Sequence, residues 1–223
     1  MRPTALIAAV ALGLLVTACD DGTDVTTERV EQVRAAAEHA GLDGAVADVL
    51  ALAARGATAT YQVTYEGADG AELVVSQAPP DRRVDVVTAG LIVESQVVRA
   101  GVAYRCALPE GGRAGDPLEC TRTHGAVQLP GTFTAEALSA FSDALIESAD
   151  ELDLTVETRT IADAEATCLV AAPAGGTELD GTGPGVDTIC LSAEGAQLLV
   201  DAGGERVVAS AYSTDVPEGT FDV

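Results

Sequence analysis

Thr58-Ala59-Thr60-Tyr61-Gln62-Val63-Thr64-Tyr65 decides the fold. Ala59, Tyr61, Val63 and Tyr65 alternate with Thr58, Thr60, Gln62 and Thr64. A period of two sends successive side chains to opposite faces of an extended chain, so this stretch reads as a strand with one buried face. Gly67-Ala68-Asp69-Gly70 is a turn, 71–77 is the returning strand, and Pro79-Pro80-Asp81 breaks it. Residues 82–88, 91–98 and 102–108 are three more apolar, β-branched runs, separated only by Ala89-Gly90 and Ala100-Gly101. Connections this short join antiparallel neighbours, so the pattern predicts a meander.

On the N-terminal side the period becomes helical. Thr27 stands at a cap, and Val30, Val33, Ala37 and Ala40 form an apolar stripe. Gly41 and Gly44 interrupt it; Val46, Val49, Leu50 and Ala53 resume it, and Gly56 closes it. Residues 133–151 predict another helix, with Leu138, Phe141, Leu145 and Ile146 on one face. Strands follow at 153–161, 164–172, 187–192, 196–201 and 205–213. Helices interrupting a long antiparallel run predict an α+β domain over 27–223: one large curved antiparallel sheet with helices covering its concave face. An open sheet of about ten strands curls. Its concave side and the helices then enclose either a packed core or a cavity.

Composition narrows the function classes. The chain has 223 residues, 12 of them basic and 35 acidic, for a formal charge of −23. All the basic residues are arginine. Nucleic acid needs a basic footprint that is absent here, and so does a polybasic membrane patch. An apolar content of 48% is too high for a disordered chain. Two histidines make a histidine metal centre a poor fit.

The first residues predict a chain exported from the cytoplasm. Met1-Arg2-Pro3 is a short charged start, and 5–16 is an apolar run too short to span a bilayer. Val16-Thr17-Ala18-Cys19 then resembles the bacterial lipobox. The resemblance implies a signal peptide at 1–18, cleavage before Cys19, and a diacylglyceryl group on the Cys19 thiol. Residues 19–26 become the acylated cysteine and a short tether. The protein is then expected to be a monomer, lipid-anchored on the extracytoplasmic face of the cell membrane. Two or three acyl chains hold stably where one is marginal, because each buried methylene adds about 0.8 kcal/mol.

Four further cysteines in an exported chain favour disulfides, with three pairings available. Cys106 and Cys120 flank the turn-rich stretch 109–117 symmetrically, and Cys168 and Cys190 flank a Gly-, Thr- and Pro-rich loop. Facing positions on antiparallel strands bring cysteines close enough to bond. The expected bridges are therefore Cys106–Cys120 and Cys168–Cys190. A thiolate metal site would need C-x-x-C spacing, which does not occur.

The order of elements resembles the LolA/LolB-like superfamily of lipoprotein carriers and related envelope lipid-carrier lipoproteins. The matching segments are few. A helix leads into Ala59-Thr60-Tyr61-Gln62-Val63-Thr64-Tyr65. A second strand runs through Gln77-Ala78-Pro79-Pro80-Asp81-Arg82-Arg83-Val84-Asp85-Val86, and the tail reads Ser213-Thr214-Asp215-Val216-Pro217-Glu218-Gly219-Thr220-Phe221. The resemblance implies a half-barrel plugged by helices and a lipid or acyl-chain ligand. This chain departs from the carriers in its four cysteines and its scarce aromatics, four Tyr and three Phe.

The candidate ligand face is Tyr61, Val63, Tyr65, Leu73, Val75, Val84 and Val86. The alternative is that these residues only pack as core. Arg82-Arg83, beside Asp81, reads either as a salt-bridged strand start or as a mouth for anionic head groups. No catalytic set is expected. His39 lies in the first helical region and His124 in a loop; no G-x-S-x-G turn or phosphate loop occurs. Asp180-Gly181-Thr182-Gly183 lacks the alternating ligands and closing Glu of a calcium loop. The expectation is therefore a protein that is not an enzyme and carries no cofactor or metal.

Overall fold

The structure is a computed structural model that describes residues 27–67, 70–123, 145, 147–174, 187–202 and 205–223. The expected signal peptide, Cys19, the tether, His124, most of the expected helix at 133–151 and the Asp180-Gly181-Thr182-Gly183 turn lie outside the described residues.

Two helices lead. Helix α1 spans Thr27–His39 and α2 spans Gly44–Gly56. Gly41, at φ +82°, separates them in a conformation that side chains with a Cβ rarely adopt. Asp43 caps α2, its side chain accepting from Ala45 N at 2.8 Å. Arg34 of α1 pairs with Asp48 of α2 at 2.8 Å.

Among the described residues eleven strands follow, all paired antiparallel. The first meander is β1 (Tyr61–Glu66), β2 (Ala71–Ala78), β3 (Asp81–Thr88), β4 (Leu91–Arg99), β5 (Val102–Ala107) and β6 (Glu119–Arg122). The second is β7 (Leu152–Ile161), β8 (Ala164–Pro173), β9 (Asp187–Ser192), β10 (Gln197–Ala202) and β11 (Glu205–Ser213). The sheet runs β6-β5-β4-β3-β2-β1-β11-β10-β9-β8-β7. The first strand therefore pairs with the last, and this seam joins two locally paired meanders into one open sheet. The sheet-rich α+β class is as expected from the sequence.

Two details differ from the sequence pattern. Strand β1 starts at Tyr61, three residues later than the alternation suggested; Thr58 and Ala59 bond outside the ladder. Thr58 N donates to Arg55 O, and Ala59 O accepts from Gln77 Nε2. Strand β6 is a short exposed edge strand that carries no apolar alternation; its pairing with β5 places Cys120 opposite Cys106.

Both expected bridges are present. Cys106 bonds Cys120 and Cys168 bonds Cys190, each pair being directly opposed across adjacent strands.

Among the described residues the core forms two clusters. In one, Val46, Val49 and Leu50 of α2 pack with Leu169, Leu191 and the partly buried Leu154, Val156 and Ile189. The helical packing so described lies at the β7–β9 end of the sheet. The other cluster joins Tyr61, Val63, Tyr65, Val75 and Val84 to Cys168, Cys190, Leu199 and Ala209. Cys168 and Leu169 are sequence neighbours yet belong to different clusters. Strands β8 and β9 are thus buried on both faces, which explains their nearly continuous apolar runs.

Candidate functional site

The ladder between β1, β2 and β3 sets three cross-strand rows on one face. Tyr65 faces Leu73, which faces Val86; Val63 faces Val75, which faces Val84; Tyr61 faces Gln77, which faces Arg82. All seven candidate ligand residues therefore share one face. Five of them are core: Tyr61, Val63, Tyr65, Val75 and Val84 are buried, none more than 4% exposed. Leu73 packs against them partly buried, and Val86 is half-buried.

The third row is polar, and of its three residues only Gln77 was not singled out from the sequence. Gln77 is 0% exposed. Its Nε2 donates to Gly56 O at 2.6 Å and to Ala59 O at 2.9 Å, tying β2 to the end of α2. Its Oε1 is buried without a partner, as are Tyr61 OH and Arg82 Nε, among the described residues. Alternation itself carried the signal: Gln77 is in phase with Leu73 and Val75, and Arg82 is in phase with Val84 and Val86.

Burial pushes the Tyr61 phenol well above the ordinary tyrosine range, although the nearby Arg82 charge opposes the shift. Burial does the same to Tyr65, whose OH donates to Gln197 O at 2.7 Å. Both phenols are therefore neutral donors at physiological pH.

The paired arginines part company. Arg83 points to the opposite face, where Nε contacts Asp85 at 2.7 Å and Nη1 donates to Thr220 O at 2.8 Å. It clamps the C-terminal tail, and Arg99 holds Asp222 at 2.9 Å beside it. The carboxylate beside them in sequence, Asp81, instead accepts from Ala100 N at 2.8 Å and closes the β4–β5 turn. Arg82 forms no ion pair among the described residues.

Two further arrangements are structural. The Ser192 hydroxyl accepts from Glu194 N and Ala196 N and meets Tyr212 OH at 3.1 Å, while Tyr212 also bonds Glu194. This network folds the β9–β10 turn. Desolvation, and then the Glu194 hydrogen bond, push the Tyr212 phenol up to about 12. In that turn Gly195 meets α2 backbone to backbone: a Cβ on Gly56 would lie 2.2 Å from Gly195 O. On the tail side of the first meander lies an open groove of about 500 Å³, lined by Leu91, Ile92, Leu118, Val223 and the Cys106–Cys120 bridge.

His39 is exposed at the end of α1. Among the described residues no three His, Cys, Asp or Glu side chains gather as a metal-ligating group. No helix among them is long and apolar enough to cross a membrane. The chain matches no protein-family model and no curated protein.

Proposed function

We propose that this protein is an extracytoplasmic lipoprotein, anchored through acylated Cys19, that binds or carries a lipid or other apolar ligand between sheet and helices. It acts by burial rather than by chemistry. The observation that carries this reading is the in-register face of β1–β3, where two apolar rows end in a row of buried polar atoms without partners. A solid core pairs its buried polar groups, since each one left unsatisfied costs about 1–3 kcal/mol. In this reading the half-barrel is closed in the ligand-free form, and the break between α1 and α2 at Gly41 is the hinge that admits the ligand. Each methylene then taken from water favours binding by about 0.8 kcal/mol.

The second reading is an interaction or sensor module of the cell envelope with a solid core. The near-complete burial of Tyr61, Val63 and Val75 favours it. One experiment separates the two. The Cys19→Ser chain is exported, purified without detergent and examined by native mass spectrometry. A stoichiometric adduct of lipid mass is the result expected of a carrier. A clean protein mass, repeated after purification from the native envelope, supports the interaction module.

A further inference from the structure

We infer that Tyr61, Gln77 and Arg82 form the head-group end of the ligand site, and that the ligand is an anionic phospholipid whose head group carries a hydroxyl. The inference rests on the carrier reading and specifies its ligand.

The three side chains sit on one cross-strand row of β1, β2 and β3. Each keeps one buried polar atom without a partner among the described residues. Two of these atoms, Tyr61 OH and Arg82 Nε, donate hydrogen bonds. The third, Gln77 Oε1, accepts, because both protons of its amide already go to Gly56 O and Ala59 O. The row therefore asks for a group that accepts twice and donates once. A phosphodiester oxygen beside a hydroxyl meets that requirement. Choline does not, because it has no donor and brings a positive charge against Arg82.

Charge points the same way. The chain holds 35 acidic residues, so Arg82 is not unpaired for want of carboxylates. Its neighbour Arg83 has Asp85 at 2.7 Å, and Asp81, next to Arg82 in sequence, accepts from Ala100 N instead. An anion brought by the ligand is what the Arg82 row lacks. Placing it there gives the half-buried Arg82, whose Nε is buried without a partner, a charge-assisted pair.

The apolar part of the ligand has a path. Successive rows on one face of a strand are two residues apart, about 7 Å. Val63, Val75 and Val84 form the next row, and Tyr65, Leu73 and Val86 the one after. An acyl chain leaving the Arg82 row along β1–β3 meets about 14 Å of apolar surface.

The test uses the Cys19→Ser chain, incubated with vesicles of dioleoyl phosphatidylglycerol, of dioleoyl phosphatidylcholine, or of phosphatidylcholine containing dioleoylglycerol. Protein is separated by flotation, and the lipid it carries is counted by mass spectrometry. Glycerol 3-phosphate is titrated separately by calorimetry. Phosphatidylglycerol is expected at about one per protein and phosphatidylcholine at least tenfold lower. Arg82→Gln lowers phosphatidylglycerol about tenfold and Tyr61→Phe severalfold, while dioleoylglycerol is retained by both. Arg82→Lys, which keeps the charge and loses the Nε donor, falls between.

Equal retention of phosphatidylglycerol by Arg82→Gln and the parent, or equal uptake of phosphatidylcholine, overturns the head-group assignment and leaves the carrier reading standing. Glycerol 3-phosphate binding as tightly as the phospholipid makes this a small-anion site and overturns the amphiphile. Failure to retain any lipid, dioleoylglycerol included, removes the carrier reading and this inference with it.

Discussion

Gly195→Ala is the most informative single change to stability. In the β9–β10 turn a Cβ on Gly195 would lie 2.1 Å from Leu52 O and 2.6 Å from Gly56 N. Neither is a side chain that can swing away; both belong to the backbone of α2. Relieving the overlap means lifting the helix end off the turn, and overpacking of this kind costs about 1–3 kcal/mol. Gly195 is also at φ +85°, where a residue with a Cβ pays a further ~1–2 kcal/mol. The expected destabilisation is therefore about 2–5 kcal/mol. With a urea slope of about 2 kcal/mol/M, the midpoint falls by about 1–2.5 M. Gly41→Ala is the control. Its φ is nearly the same, +82°, but nothing lies within 4 Å of the added carbon, so it loses only the conformational part. Gly56→Ala completes the set: it meets Gly195 O at 2.2 Å but without a positive φ, and it gains about 1 kcal/mol of helix propensity. The assay is urea unfolding followed by circular dichroism, with both bridges intact. Equal midpoints for Gly195→Ala and Gly41→Ala would refute the docking of α2 on this turn. Because Gly56 O also accepts from Gln77, that docking sets the position of the polar row as well.

The two bridges differ in accessibility. Cys120 lies on the exposed edge strand β6, whereas Cys168 and Cys190 are both 0% exposed. A mild reductant without denaturant is expected to release two thiols, at Cys106 and Cys120, as counted by alkylation and intact mass; the other two appear only on unfolding. The tyrosines define an alkaline limit. The folded pKa values of Tyr61, Tyr65 and Tyr212 are raised above 10, so their contribution to stability is unchanged below pH 10. It falls above that, because the unfolded chain ionises first. Each fully buried phenol, Tyr61 and Tyr65, removes about 1.4 kcal/mol per pH unit. The phenolate absorbance of Tyr61 and Tyr65 is expected to rise together with loss of structure, and their ionisation near pH 10 in a folded protein would contradict this burial.

Much of the architecture was legible because it is local. Alternation at 58–65 and two-residue connections such as Ala89-Gly90 specify hairpins by backbone geometry alone. Ala89 and Gly90 both adopt positive φ, as such a turn needs. The cysteine pairing was legible for the same reason: bridges between facing hairpin positions need only local register. The break between α1 and α2 was written in Gly41. The lipobox resemblance at Cys19 is a property of the sequence alone, outside the described residues, and so is the strong acidity.

What the sequence left open required distant contacts. Nothing in β1 or β11 announces that the first strand pairs with the last; that follows from burying both meanders in one sheet. Alternation put the seven candidate residues on one face, but could not separate core from ligand surface, since both are apolar. Sequence adjacency pointed Arg82 and Arg83 at Asp81. The pleat instead sent them to opposite faces, one onto a buried carboxylate and the tail, the other into a row without a counter-charge. That division exists only once β2, β3 and the end of α2 are packed together, because an unpaired polar atom is defined by everything around it.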